Sequence, residues 1–407
     1  MIAPLVATRA RILATRDTAE GHERLVRRRL GAAWGLLLLN VIGYTSLIVH
    51  VPSIFGKAIT QGSLPLALLL LLSVNRRIVV RPNVFLCLVT LLPLEAVMTA
   101  LNPQFLGTVY RTVRLIEFVA ALWLLSPWFG RRDLLLLRYH LTALSVVISS
   151  VIAGILVAPG IALGSGRLVG AIWGIPSTQI AHYCAVVIGV VVILWACGHM
   201  PGRLTLFIVG VASVVLILTH TRTALTGMIA GIVVASLSLM DRYVRVRKMF
   251  ATAIVVVAIV VATASSFILN WLSRGENAQG LHNLTGRTKV WGPLLALPRD
   301  HFQEIFGFGL SNSSFNGLSI DSNWLSSYLE QGLFGVTVCG LILLFLLVAA
   351  FFRPTGVQRA LALFLVTYCL VASFTEDGFT DATPYMMDLA VAASLLLTPI
   401  MGYRPDP

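Results

Sequence analysis

The chain has 407 residues, of which 57% are hydrophobic and only 12% charged, and its mean hydropathy is +0.88. That composition excludes a soluble globular protein of this length and indicates a polytopic membrane protein. A formal charge of +13 does not indicate a nucleic-acid partner, because the arginines gather at the ends of apolar runs, as the positive-inside pattern requires.

Apolar runs of the length that a helix needs to cross the hydrocarbon core recur along the chain. The short alternating segments of a membrane β-barrel are absent. The expected fold class is therefore an all-α polytopic membrane protein. Residues 1–30 form a basic tail carrying Arg9, Arg11, Arg16, Arg24, Arg27, Arg28 and Arg29, either an interfacial helix or disordered, and not a cleavable signal peptide. Spans follow near 31–51, 62–75, 83–101, 111–128, 134–158, 176–197, 203–220, 223–240, 249–270, 332–352, 357–374 and 384–401. The arginine and lysine residues fall in alternate connections: Arg76, Arg77 and Arg81; Arg131 and Arg132; Arg203; Arg242, Arg245, Arg247 and Lys248; Arg353 and Arg359. This alternation predicts about twelve helices with both termini inside. Residues 31–270 then hold the first nine helices, 271–331 a large outer loop, and 332–407 the last three helices and the cytoplasmic C-terminus. The five cysteines fall within these spans without zinc-type spacing and read as small buried residues.

Ionisable groups at membrane depth are costly and therefore mark functional candidates. Arg111, Arg114 and Glu117 lie in the fourth predicted helix; the arginines share a face, and Glu117 is placed to pair with Arg114. They form either a binding site or a buried ion pair that sets packing. Glu95 in the third helix is a further partner or a neutral core residue. Arg167 sits in a glycine-rich segment before Pro176, a composition suited to a broken or re-entrant element at the outer surface. Arg222, between Thr221 and Thr223, separates two apolar runs with almost no loop. Guanidinium and hydroxyl groups held there suit phosphate oxygens; a snorkelling arginine at a helix end is the alternative.

In the outer loop, Thr285 is a helix cap ahead of Arg287, and Val290, Trp291, Leu294, Leu295 and Leu297 give the following segment an apolar face despite Pro293. The GFGLSNSS run at 307–314 lacks the strand and the Lys-Ser of a nucleotide loop and reads as a turn. Asp321, Asn323 and Glu330 point at the mouth of the bundle, where an acid is placed to act as a general base.

Several of these segments resemble the O-antigen ligase and Wzy-type polysaccharide polymerase superfamily. They are the TRT turn at 221–223, GRL at 166–168 with downstream Pro176, TGRTKVW at 285–291, GFGLSN at 307–312 and DSNWLSSYLEQGLFG at 321–335. They follow the family's order through the second half of the chain; the first half matches only as a set of spans. The resemblance implies an inverting, metal-independent glycosyltransferase with no cofactor, working in the bacterial cytoplasmic membrane with its site facing the periplasm. Its donor would be an undecaprenyl-diphosphate-linked glycan. Arg222 and Arg287 match the family's diphosphate-binding arginines, with Arg167 beside them and Arg111 and Arg114 as further candidates. Ligases commonly carry a histidine where this chain has Asp321, Ser322 and Asn323. Asp321 is the expected base in its place, Glu330 a structural or orienting acid, and His282 or His301 an alternative base. The expected activity is polymerisation of lipid-linked repeat units. Ligation to a lipid A core is the enzymatic alternative, and a lipid-linked glycan flippase the alternative of another class. A chain-length regulator is a partner on which the sequence is silent.

Overall fold

The computed structural model describes residues 3–43, 45–48, 51–101, 107–131, 133–164, 166–273, 288–311 and 313–397. They build an all-α bundle. Among the described residues five helices are long and apolar enough to cross a membrane, and four more are shorter and apolar. The long first helix α1 (Ala3–Ile42) joins the basic tail to the first apolar run without a break, and it ends nine residues before the predicted boundary, where Gly43 turns left-handed at φ 76°. Helix α2 (Ser53–Val74) starts nine residues earlier than expected, directly after Pro52, a residue well suited to a helix entrance. Then come α3 (Val84–Ala100), capped by Asn83, α4 (Thr108–Leu125), α5 (Leu135–Val157) and the short α6 (Pro159–Leu163). Helices α7 (Ser177–Ala196), α8 (Gly202–Leu218), α9 (Arg222–Leu239) and α10 (Val244–Ser273) complete the first part.

After the undescribed residues 274–287 come α11 (Thr288–Leu295) and α12 (His301–Phe306). An antiparallel hairpin follows, β1 (Ser314–Phe315) with β2 (Leu318–Ser319). Its turn residues Asn316 and Gly317 both have positive φ, the Asn-Gly chemistry of a tight hairpin. Helix α13 (Asn323–Phe352) begins nine residues before the predicted tenth span and breaks at Gly332, φ 62°. Helices α14 (Val357–Ala372) and α15 (Pro384–Leu396) close the bundle.

Helices α7 and α15 lie at the centre. Predominantly apolar and buried on most sides, they have little solvent face to present, and almost every described residue of α15 is buried. Small residues let α9 and α14 approach α7 closely, as in membrane helix packing. A Cβ on Gly189 would fall 2.0 Å from the Phe364 ring, and one on Gly231 would fall 2.7 Å from it.

The connections separate into two layers. At one end Arg81 donates to Phe129 O, Gly130 N to Ser394 O, Arg242 to Thr355 O, Arg245 to Trp195 O and Arg353 to Leu396 O. Arg27, Arg131, Glu23 and Asp133 form an ion-pair network there. At the other end Leu47 N bonds to Ala171 O, Leu168 N to Leu218 O and Asn323 N to Ser373 O. This second end carries the candidate site.

Candidate functional site

The site grows from the turn between α8 and α9. Only residues 219–221 separate the two helices, and His220 adopts φ 50°, an uncommon conformation outside glycine. Arg167 reaches this turn: its Nε donates to Thr219 O at 3.1 Å and its Nη2 to Thr221 Oγ1 at 3.2 Å. Arg222 opens α9 immediately beyond. Two guanidinium groups therefore meet one turn, at the N-terminus of an 18-residue helix whose N-cap Thr221 makes no side-chain cap. The first backbone N–H groups of such a helix attract anions. The Nε and Nη2 of Arg222 are buried without a hydrogen-bond partner among the described residues. Arg114, Arg299 and Arg359 also have unpartnered buried nitrogens, but each is engaged elsewhere through its remaining atoms or its guanidinium face. Arg222 has no such partner among the described residues.

Thr223 Oγ1 lies 2.7 Å from Thr375 Oγ1 and joins the turn to residues 373–383, a loop docked on the start of α13. There Phe379 N donates to Asn323 Oδ1 at 2.8 Å, Gln331 Nε2 to Thr380 O at 3.2 Å, and Ser327 and Thr380 share a hydroxyl bond of 3.0 Å. The same loop carries Asp381, which meets Arg111 Nη1 at 3.4 Å and Arg114 Nη2 at 3.3 Å; Arg114 also donates to Ala382 O at 2.5 Å. This corrects the expected Arg114–Glu117 pair: the partner of both arginines is a carboxylate from a distant loop, which helical spacing within α4 has no means of revealing.

Ser311 and Ser313 are held by Glu330. Its Oε1 accepts from Ser311 N at 3.0 Å, Ser311 Oγ at 2.7 Å and Ser313 N at 2.9 Å. With that oxygen so occupied, Glu330 ties Ser311 and Ser313 to α13. The glycines allow the docking. A Cβ on Gly307 would meet Gln331 N at 2.4 Å, and one on Gly332 would meet Ile305 O at 2.4 Å. Both glycines have positive φ, so the loop and the break in α13 touch backbone to backbone. Thr108 at the start of α4 donates to Leu310 O at 3.1 Å.

Asp321 stands just before α13, half-buried, and accepts from Ser319 Oγ at 2.7 Å. Beside it is Asp377, a residue that the sequence did not single out. Burial raises the Asp377 pKa above the usual carboxylate value; a bond from Ser313 opposes the shift, the neighbouring Asp321 charge adds to it and Arg111 opposes it. Above this acidic group, Val290 and Leu294 of α11 pack with Ile320 and Leu329 in a small apolar cluster, with Trp291 and Leu297 at its edge. Leu295, expected on the same face, is exposed. Arg299 pins this cap: it donates to Tyr328 O at 2.8 Å and lies over the Tyr328 ring at 3.9 Å. His301 is exposed at the first position of α12, behind the Asp300–Gln303 capping box. His282, Thr285 and Arg287 lie outside the described residues.

The structure thus joins Arg167 to the turn that leads into Arg222, and brings Arg111, Arg114, Asp321 and Glu330 to the same end of the bundle. It adds Asp377 and Asp381, whose only sequence signal was a short polar loop with three acids, Glu376, Asp377 and Asp381. No protein-family profile matches the chain, and no curated protein matches it.

Proposed function

We propose that the protein is an inverting glycosyltransferase that polymerises undecaprenyl-diphosphate-linked glycan repeat units at the outer face of the cytoplasmic membrane. In this reading about twelve helices cross the bilayer, the arginine-capped end faces the cytoplasm, and the end bearing Arg222 faces the periplasm. The observation that carries the proposal is the turn at 219–223, where Arg167 and the unpartnered guanidinium of Arg222 converge on an uncapped helix N-terminus. Fixed positive charge of this kind stabilises a departing diphosphate, because it is in place before the reaction and needs no reorganisation.

The chemistry follows. An acceptor hydroxyl of one lipid-linked unit attacks the anomeric carbon of another from the face opposite the diphosphate. The new glycosidic bond forms as the bond to the diphosphate oxygen breaks. The diphosphate leaves with the electron pair towards Arg222 and Arg287, and the hydroxyl proton passes to Asp321. Asp377 places a second carboxyl beside Asp321.

The test is the product made by purified protein in a bilayer from lipid-linked repeat units alone. Elongated lipid-linked glycan with inverted linkages is expected. A reaction that starts only when a lipid A core is supplied would replace polymerase by ligase. Movement of the donor across the bilayer with no new glycosidic bond would remove the enzymatic reading altogether.

A further inference from the structure

Deep in the bundle, away from the site above, three polar side chains from three helices meet. His140 Nε2 of α5 lies 2.7 Å from Asp388 Oδ1 of α15, and His182 Nε2 of α7 lies 2.6 Å from Asp388 Oδ2. Asp388 and His140 are 0% exposed and His182 is 1% exposed. Ionisable groups inside a membrane bundle are rare, pair with one another and commonly carry protons or ions. We propose that this cluster is an intramembrane proton-binding site holding one proton on His182, and that the bound proton locks α15 between α5 and α7.

The hydrogen-bond pattern assigns the proton. Trp34 Nε1 of α1 faces His140 Nδ1 at 3.4 Å, with the two rings edge to face at 81°. An indole N–H can only donate, so His140 Nδ1 accepts and its Nε2 carries the hydrogen donated to Asp388. A second proton on His140 would set N–H against N–H; this imidazole stays neutral. Among the described residues no donor bonds to His182 Nδ1; its hydrogen bond is the one from Nε2 to Asp388. Its ring lies among three tyrosine rings, with centroids at 5.4 Å for Tyr183, 5.3 Å for Tyr368 and 4.2 Å for Tyr385, and aromatic faces favour a cation.

Among the described residues the surroundings supply no other positive charge to Asp388. The titratable groups facing it are His140 from α5, His182 and Tyr183 from α7, Tyr368 and Cys369 from α14 and Tyr385 from its own helix. With the proton on His182, the cluster is an ion pair plus a neutral imidazole and has no net charge. Without it, a carboxylate remains unneutralised in an apolar core, the costly state for a buried ion. Consequences extend beyond α15 itself. Tyr385 stacks on Phe379 at 4.4 Å, and Phe379 N is held by Asn323, so the clamp reaches the loop bearing Asp377 and Asp381.

The experiment is solid-state NMR of histidine-15N-labelled protein in bilayers at pH 7, with the His182 signals identified by their loss in H182N. The expected spectrum has both His182 nitrogens protonated, and one protonated and one bare nitrogen on His140. D388N retains an oxygen to accept from His140 and an amide to donate to His182, so it should fold and show two neutral imidazoles. Neutral His182 in the wild-type spectrum overturns the proposal, and so does an imidazolium that persists in D388N. The wild-type spectrum is decisive even where D388N fails to fold. No glycan substrate enters this test, so its outcome is independent of the proposed transferase activity.

Discussion

The two ends of the bundle use the same residue for different purposes. At the end bearing Arg81, Arg242, Arg245 and Arg353, Arg242 donates to Thr355 O in the connection between α13 and α14, while the other three guanidinium groups donate to backbone carbonyls at or near helix C-termini. They satisfy orphan acceptors and complement the negative end of the helix dipole. At the other end Arg167 also donates to a terminal carbonyl, Thr219 O, but Arg111 and Arg114 face Asp381, and Arg222, at a helix N-terminus, has its buried Nε and Nη2 without a partner among the described residues. An arginine beside the positive end of a dipole is in the wrong place for stability and in the right place to share an anion with that dipole. Position relative to the helix ends thus separates structural arginines from candidate binding ones better than their number does.

The largest effect is expected from Arg222→Ala. Loss of one preorganised donor to a developing anion should lower transfer by about 10²–10³-fold, while the melting temperature holds or rises because buried unpaired donors are removed. Full transfer activity in this variant would break the distinction between the two ends. Asp381→Ala comes next, since it leaves two partly buried guanidinium groups without their carboxylate. Denaturant titration should show a loss approaching about 3 kcal/mol, and Asp381→Asn, which preserves the volume, should lose less. Arg353→Ala should cost about 1–2 kcal/mol through the carbonyl of Leu396 yet leave turnover per folded molecule unchanged. A fall in turnover matching that of Arg222→Ala would equate the two ends.

The smallest effect concerns Asp377. Its carboxyl has a raised pKa in the folded protein, so it contributes stability that is complete below the unfolded value of about 3.9 and is lost as pH rises through the folded value. Melting curves of Asp377→Asn should therefore gain on the wild type as pH increases. Asp321→Asn removes the neighbouring negative charge and should narrow that difference; an unchanged difference would mean that the two acids do not interact.

Much of the molecule was legible in the sequence because its signals are local. Apolar runs located the helices, and the alternation of arginines assigned their connections to two sets that hydrogen bonds in the structure also keep apart. The tight TRT turn followed from two apolar runs with almost nothing between them. Helix ends were less legible. The entries of α2 and α13 each lie nine residues earlier than hydropathy placed them: Lys57 and Gln61 of α2 are exposed, and Ser326, Ser327 and Glu330 of α13 find partners in neighbouring loops. The hairpin at Asn316 and Gly317 was hidden by strands of two residues.

What the sequence by itself determined was the class of the protein, the run of its helices, and the presence of arginines and acids in the segments between them. Only the tertiary structure decided which of these groups are satisfied. Asp381 answers Arg111 and Arg114 across more than half the chain, Glu330 is engaged by Ser311 and Ser313, and Asp388 gathers two histidines from helices that no local pattern connects to it. Arg222 became the leading binding candidate for the opposite reason. Pairing is a property of the folded neighbourhood, because a buried charge is stabilised by whatever atoms three-dimensional packing brings within about 3 Å, and sequence separation places no limit on where those atoms come from.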